Sequence, residues 1–214
     1  MGVTLKLATS LDGRIATAAG ESRWITGEVA REAVHRLRAE HDAVGIGVQT
    51  ALADDPELTV RLDGFSGRQP SRVVFDSRQQ LPPEGKLAAT AKDIPTLLVT
   101  VEAPSAALSA AGVTVLTVQA GPDGRPDLDA ALQALSHHGV EQLLVEGGGR
   151  LAASFLKAGV VDRIEWFRAP LVLGAEGRPG IGALAVNDLE AAPRFRRTEV
   201  RALGADLWER YERL

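Results

Sequence analysis

Alternating apolar and polar positions mark short strands that are separated by segments of helical periodicity. The first strand spans residues 3–8, where Val3, Leu5 and Leu7 share one face and Lys6 falls on the other. Further strands are predicted at residues 43–47, 72–76, 96–101, 113–118, 142–146 and 163–168, with a closing hairpin at 198–201 and 206–211. Helices are predicted at residues 28–40, 128–136 and 150–158. This order predicts a single α/β domain over residues 1–214.

Local signals indicate where two of these elements begin or end. Thr26 is the predicted N-cap of the helix at residues 28–40, because its hydroxyl can accept a hydrogen bond from a first-turn N–H. Asp12 and Gly13 form a turn signal directly after the first strand.

Composition then narrows the class of protein. The formal net charge is −4, with 45% hydrophobic and 24% charged residues, which is ordinary for a globular protein and lacks the basic excess of a nucleic-acid binder. The chain has no cysteine, which excludes disulfides, thiolate metal sites and cysteine nucleophiles and is typical of a reducing compartment. Without a signal-peptide pattern or an apolar run of about 20 residues, we expect a soluble cytoplasmic protein that binds neither membrane nor nucleic acid.

Lys6 is the first candidate functional residue. A lysine in a strand of otherwise apolar or small residues either extends past the sheet edge to water or faces a cleft. In the second case its cation would meet an anionic or carbonyl-bearing ligand. The residue alone leaves both interpretations open.

A second candidate group precedes the helix at residues 28–40. Trp24, taken alone, is predicted to be a core anchor, whereas Ser22 lies beside a helix N-terminus whose N–H groups suit an anion such as a phosphate. A simply capped helix explains the same residues.

The segment from Thr50 to Arg61 contains the sequence Asp-Asp-Pro. Paired aspartates can bind a metal, but no further carboxylate or histidine completes a ligand set, so we predict a turn and no metal site. Arg61 is a candidate clamp for a phosphate or carboxylate, with a surface salt bridge as the alternative. The four histidines also lack zinc spacing: His35, His41, His137 and His138.

Three glycines follow Glu146 between a predicted strand and a predicted helix. At such a turn a backbone can approach a pyrophosphate closely, although the spacing is not G-x-G-x-x-G and a tight turn explains it as well. Glu146 itself ends the strand, where ligands bind in open α/β sheets.

Six motifs are distributed along the chain: K-L-A-T-S-L-D-G-R, S-x-W-I-T, T-x-x-x-D-D-P-x-L-T-x-R, V-F-D-S, E-G-G and A-P-L-V-L-G. Their combination resembles the reductase domain of the riboflavin-biosynthesis deaminase/reductase family. The resemblance implies an α/β, dihydrofolate-reductase-like three-layer domain with a central, mostly parallel sheet and a C-terminal antiparallel hairpin. It also implies an NADPH-dependent oxidoreductase that forms homodimers. The implied reaction reduces 5-amino-6-(5-phosphoribosylamino)uracil, or its diaminopyrimidinone precursor, to the ribitylamino product.

The same resemblance assigns roles to individual residues. Lys6 and Glu146 are the implied catalytic residues, and Ser77 with Arg78 is a candidate site for the cofactor 2′-phosphate. Implied substrate contacts are Ser22, Leu58, Arg61 and Glu146. Implied cofactor contacts are Ala8, Trp24, Thr50, Asp54, Ser77, Gly148, Gly149, Arg150, Leu151, Ala152, Ala153 and Ser154.

Two departures keep other functions open. The bifunctional relatives carry an H-x-E…P-C-x-x-C zinc deaminase signature, which a chain without cysteine lacks, so we expect a separate deaminase. A reductase of a pteridine such as dihydrofolate would need an acidic residue facing the heterocycle, for which Asp12 and Glu146 are available. A non-catalytic nucleotide-binding protein is the remaining alternative.

Overall fold

The computed structural model describes residues 1–214 as a mixed α/β protein. The strands are β1 (Gly2–Thr9), β2 (Arg14–Ala16), β3 (Ala43–Gly47), β4 (Ser71–Phe75), β5 (Thr96–Thr100), β6 (Thr114–Thr117), β7 (Gln142–Gly147), β8 (Arg163–Arg168), β9 (Arg178–Pro179), β10 (Phe195–Leu203) and β11 (Asp206–Arg213). The helices are α1 (Glu28–Ala39), α2 (Val48–Asp54), α3 (Lys86–Ala89), α4 (Ala106–Ala111), α5 (Leu128–His137) and α6 (Gly149–Ala158). No helix has the length and apolar character needed to cross a bilayer.

The chain contains two compact units, one formed by Met1 and residues 35–144, the other by residues 2–34 and 145–214. Strand β7 contributes residues 142–144 to the first unit and its remaining residues to the second. The strand order is β7-β3-β4-β5-β6 in the first unit and β10-β11-β8-β1-β7 in the second. The predicted fold class, with a mostly parallel sheet and a C-terminal antiparallel hairpin, is confirmed. The single-domain interpretation stays a prediction.

In the first unit, the parallel strands β3, β4 and β5 are almost entirely buried. All five residues of β5 are buried, as expected for a parallel strand that is covered on both faces. Arg72 in β4 is also buried, and its guanidinium donates to Thr90 Oγ1 at 2.7 Å and to the Ile94 carbonyl at 2.6 Å. Burial lowers the pKa of Arg72, although the charge of Asp93 opposes that shift.

In the second unit, the hairpin β10–β11 pairs with β8 through a buried polar cluster. The carboxylate of Glu165 accepts hydrogen bonds from Trp208 Nε1 and Arg210 Nε, each at 2.7 Å. Burial raises the pKa of Glu165, while those two donors oppose the shift. Phe167 is fully buried and stacks on Trp208 with ring centroids 6.0 Å apart, so it belongs to the core.

The start of α1 differs from the prediction. Gly27, rather than Thr26, immediately precedes the helix, and its carbonyl accepts the first intrahelical bond from Arg31 N at 3.1 Å. The N–H of Gly27 donates to Asp206 Oδ2 at 2.6 Å. A carboxylate from the far end of the chain therefore anchors the entry to this helix, and the prediction of Thr26 as N-cap is wrong.

Candidate functional site

Lys6 lies half-buried on β1, the strand with β8 and β7 as its neighbours in the second unit. Lys6 therefore lies on an interior strand, and its partial exposure fits both a path to water and a cleft. Its register partner on β8 is the buried Glu165, so the two side chains share one face of the sheet. Ala8, also half-buried, lies two residues further along the same face.

Glu146 lies near the carboxyl end of β7 and is half-buried. Gly148 follows with a φ of +83°, a conformation that favours glycine, and α6 begins at Gly149. The first intrahelical bond runs from Ala152 N to the Gly148 carbonyl at 3.0 Å. The amides of Gly149 and the next two residues precede that bond, so the helix itself supplies them with no acceptor.

The remaining implied cofactor contacts on α6 divide by exposure. Arg150 is exposed, and Leu151 and Ser154 are half-buried. Ala152 and Ala153 are buried on the helix face that packs into the core. The first turn, with its backbone amides and the Arg150 cation, is therefore the part of this helix that is suited to an anion.

Gly149 is enclosed by a segment distant in the sequence, residues 178–182, which we call the strap. A Cβ on Gly149 would overlap the Pro179 carbonyl oxygen and lie 3.4 Å from the carbonyl carbon of Gly180. Gly182 N donates to the Gly149 carbonyl at 2.8 Å. The strap therefore packs directly on the first residue of α6, which explains why this position is glycine.

Asp12 connects the turn after β1 to the segment that leads into the strap. Its Oδ1 accepts from Ser10 Oγ at 2.6 Å and from Leu173 N at 3.1 Å, and its Oδ2 accepts from Gly174 N at 2.8 Å. In the same turn the Gly13 carbonyl accepts from Gly180 N at 2.9 Å. These bonds occupy the carboxylate of Asp12, one of the two acidic residues that a pteridine reductase could direct at its heterocycle.

We expect Asp12→Asn to destabilise the protein in a pH-dependent way. The hydrogen bond from Ser10, followed by the amide of Leu173, holds the pKa of Asp12 at about 2, below its ordinary 3.8. An unfolded chain therefore binds more protons than the folded one between these two values, so the carboxylate stabilises the fold fully above about pH 4 and loses this effect towards pH 2.

Thermal unfolding of the wild type and of the Asp12→Asn variant between acidic and neutral pH measures this effect. The difference in melting temperature between the two proteins should be largest at neutral pH and should shrink as the pH falls from about 4 towards 2. Asp63→Asn, at an exposed aspartate, is the matched control. A difference that does not change with pH would contradict the assigned role of the carboxylate.

Trp24 is 68% exposed and lies in the loop before α1, so the prediction that it anchors the core is wrong. The guanidinium of Arg31, from the first turn of α1, lies 4.5 Å from the ring centroid, and that of Arg23 lies 5.9 Å away. Both cations are within the range of cation–π attraction to the indole. Ser22 is half-buried in the same loop.

In the first unit, Thr50 and Asp54 lie on α2, a helix that was not among those predicted. Asp55 ends the helix in a left-handed conformation with φ of +38°, and its Oδ1 accepts from Lys86 N at 2.8 Å. The Asp-Asp-Pro sequence is therefore a helix terminus. No group of three or more His, Cys, Asp or Glu side chains is arranged to hold a metal ion.

Leu58 and Arg61 follow in an extended segment. Leu58 is buried and has a φ of +57°, an uncommon conformation for a branched residue. Arg61 forms a salt bridge on the surface, which was the alternative to a phosphate clamp. Its Nη1 lies 3.5 Å from Glu57 Oε2. Both partners are about half exposed, and such pairs contribute only about 0–1 kcal/mol, so Arg61 can exchange this partner for another anion.

Ser77 and Arg78 lie in the loop after β4, at the carboxyl end of that strand. Ser77 is half-buried and Arg78 is exposed. The preceding Asp76 is fully buried and accepts from Leu81 N at 2.8 Å, which fixes the loop. Sequence reasoning missed this role of Asp76, although an aspartate before Ser-Arg at a strand end is a usual turn signal.

The fold is of the α/β class, and its mostly parallel sheet with a glycine turn and a helix N-terminus at the end of a strand is an arrangement typical of nucleotide-binding proteins. The chain belongs to the family described as the RibD C-terminal domain, which matches residues 2–208.

Individual relatives agree with this assignment. The riboflavin biosynthesis protein RibD of Aquifex aeolicus is 39% identical over 207 residues, which cover 96% of this chain and 56% of that protein. The 2,5-diamino-6-ribosylamino-4(3H)-pyrimidinone 5′-phosphate reductase of Methanothermobacter thermautotrophicus is 37% identical over 212 residues, covering 98% of this chain and 96% of that protein. The structure of Acinetobacter baumannii RibD superposes with a TM-score of 0.88 at 32% identity, covering 100% of this chain and 58% of that one. The chain spans about half the length of the RibD relatives that it matches. For RibD of Actinobacillus pleuropneumoniae the share is 55%.

Proposed function

We propose that the chain catalyses the NADPH-dependent reduction of a phosphoribosylaminopyrimidine to the ribitylamino product in riboflavin biosynthesis. The substrate is 5-amino-6-(5-phosphoribosylamino)uracil or its diaminopyrimidinone precursor. The observation that carries the proposal is the match, over 96% of its length, to a relative named as a reductase of the diaminopyrimidinone phosphate. That relative has the same extent as this chain, so its printed activity needs no segment outside the matched region.

The first turn of α6 fits the anionic part of the cofactor. Its leading amides have no acceptor within the helix, the Arg150 cation is exposed beside them, and Gly148 places the turn close to the end of β7. We assign the pyrophosphate to this turn. When bound, NADPH supplies the hydride that forms the new C1′–H bond of the substrate.

The proposed roles of Lys6 and Glu146 follow from their ionisable groups. As the C1′–O bond of the ribosylamine breaks, its nitrogen loses a proton and the ribose oxygen gains one, which gives the open-chain imine. After hydride transfer to C1′ the nitrogen gains a proton again. Lys6 can donate to the ribose oxygen, and Glu146, at the end of β7, can take the proton from the nitrogen and return it after hydride transfer, or hold the open chain. Both groups would also orient the open-chain sugar before hydride transfer.

The other implied ligand contacts are retained as proposals. Ser22 and Arg61 are assigned to the substrate phosphate, with Leu58 as a further substrate contact. Ala8, Trp24, Thr50, Asp54 and Ser77 are assigned to the cofactor. Homodimer formation, a cytoplasmic location and a separate deaminase are likewise proposals.

Turnover of purified protein, followed by loss of NADPH absorbance, tests the proposed function. We expect oxidation of NADPH with one of the two pyrimidines and formation of the ribitylamino product, identified by mass spectrometry. Turnover of dihydrofolate but of neither pyrimidine would replace the proposal with a pteridine reductase. Binding of NADPH with no turnover of any of the three compounds would indicate a non-catalytic nucleotide-binding protein.

A further inference from the structure

The loop that follows β4, residues 76–81, is fixed from inside by its first residue. The buried carboxylate of Asp76 accepts from Leu81 N at 2.8 Å and from Arg78 N at 3.3 Å. Thr100, the last residue of β5, donates from Oγ1 to the Ser77 carbonyl at 3.2 Å. The backbone of this loop, which we call the Asp76 loop, therefore depends on both its own strand and the neighbouring one.

Gln79 joins the Asp76 loop to the segment that follows β5. Its Nε2 donates to the Ala103 carbonyl at 2.6 Å, and its Oε1 accepts from Ser105 N at 2.7 Å. Ser105 is the residue that precedes α4, and its side chain makes no capping bond. One amide side chain therefore uses both its donor and its acceptor to hold two loops together across 24 and 26 residues of sequence.

The backbone at Gln79 is in the left-handed region, with φ of +49°. An unbranched residue other than glycine or asparagine is uncommon in this conformation and adopts it at a cost. Glycine would suit the backbone better but would lack the amide. Glutamine supplies two hydrogen bonds that glycine could not make at this position.

The Asp76 loop carries two groups suited to a phosphate, the Ser77 hydroxyl and the Arg78 guanidinium. They lie at the carboxyl end of β4, which pairs in parallel with β3 and β5. In open α/β sheets nucleotides bind outside the carboxyl ends of such strands, and an arginine there accommodates the 2′-phosphate of NADPH. Recognition by one hydroxyl and one flexible cation requires that the loop backbone be fixed.

We propose that Gln79 is a positioning residue for recognition of the NADPH 2′-phosphate, because it holds the loop that carries Ser77 and Arg78. This inference rests on the proposed function, since it requires NADPH as the cofactor. The side-chain amide of Gln79 is engaged by Ala103 and Ser105, so we assign it no contact with the phosphate or the reacting atoms. Its effect is exerted through the placement of its two neighbours and should therefore appear as lost discrimination between phosphorylated and unphosphorylated ribose.

Calorimetric binding of adenosine 2′,5′-bisphosphate and of 5′-AMP tests this effect without turnover. The variants are Gln79→Gly, which removes the amide while permitting the left-handed backbone, and Gln80→Ala, the matched control at the exposed neighbouring glutamine. We expect the wild type and Gln80→Ala to prefer the bisphosphate by about tenfold or more, as one charge-assisted hydrogen bond provides. In Gln79→Gly this preference should fall to about twofold, with 5′-AMP affinity nearly unchanged.

The KM values for NADPH and NADH provide a second measurement. Gln79→Gly should raise the KM for NADPH and leave that for NADH nearly unchanged. A general loss of stability would weaken both nucleotides together, so an unchanged preference in Gln79→Gly would overturn the role of Gln79. If the wild type itself binds the bisphosphate no better than 5′-AMP, the inference is also overturned, whereas the proposed reaction is judged separately by turnover of the pyrimidine.

Discussion

Replacement of Lys6 by methionine should lower kcat by about 10²–10⁴-fold, the range that a positioned acid or base contributes. Methionine is similar in length and apolar, so it preserves the packing of the half-buried stem on β1 and removes only the ammonium group. The backbone pairing with β8 does not depend on the side chain. The affinity for NADPH, measured by fluorescence titration, should therefore stay within about twofold of the wild type.

The split between kcat and cofactor affinity decides the role of this lysine. Lys92→Met is the matched control, since Lys92 is exposed in the other compact unit, and its kcat should equal that of the wild type. If Lys6→Met weakened NADPH binding as much as it lowered kcat, Lys6 would be a cofactor contact and its proposed part in proton transfer would be wrong. An unchanged kcat would remove Lys6 from the reaction altogether.

Long elements with a clear period were predictable from the chain. The predictions for β3 and β8 agree with the structure at both ends, and that for α5 differs by one residue. In these segments, the burial of one face or of a whole strand determines both the sequence pattern and the structure. The hairpin was also located, although each of its strands extends beyond the predicted range.

Short elements were missed for the same physical reason. Helices α2, α3 and α4 have seven, four and six residues, too few to repeat an amphipathic period. Strands β2 and β9 have three and two residues, and they form because the strap meets the turn after β1. The residues within such elements do not specify them, since the contacts that stabilise them come from elsewhere in the chain.

The candidate site shows the same limit at single residues. Glu146 and its glycines were recognisable because strand, turn and helix are contiguous there. The exposure of Trp24 was not predictable, since it depends on a loop conformation and on Arg31 lying over the ring. The bridging role of Gln79 depends on backbone groups 24 and 26 residues away, and no local pattern indicates such a pairing.

Gly149→Ala should destabilise the protein by about 1–3 kcal/mol, the usual cost of overpacking a well-filled site, and lower the melting temperature by several degrees. The added Cβ would overlap the Pro179 carbonyl oxygen, so the strap or the first turn of α6 must move. We expect the first turn of α6 to move, which displaces its leading amides and should raise the Kd for NADPH by about tenfold or more. Differential scanning calorimetry and nucleotide titration measure the two effects.

The direction of the stability change distinguishes helix propensity from packing of the strap as the dominant effect at Gly149. Gly149 has no positive φ, and alanine in a helix is ordinarily more stable than glycine by about 1 kcal/mol, so helix propensity alone predicts that Gly149→Ala raises the melting temperature. Packing of the strap predicts the opposite. Gly121→Ala, where a Cβ would meet its nearest neighbour at an ordinary 3.7 Å, should leave stability and NADPH binding nearly unchanged. A more stable Gly149→Ala variant would show that the strap moves easily and does not hold the first turn of α6 in place. The expected loss of both stability and NADPH affinity would instead show that packing of the strap on Gly149 supports cofactor binding.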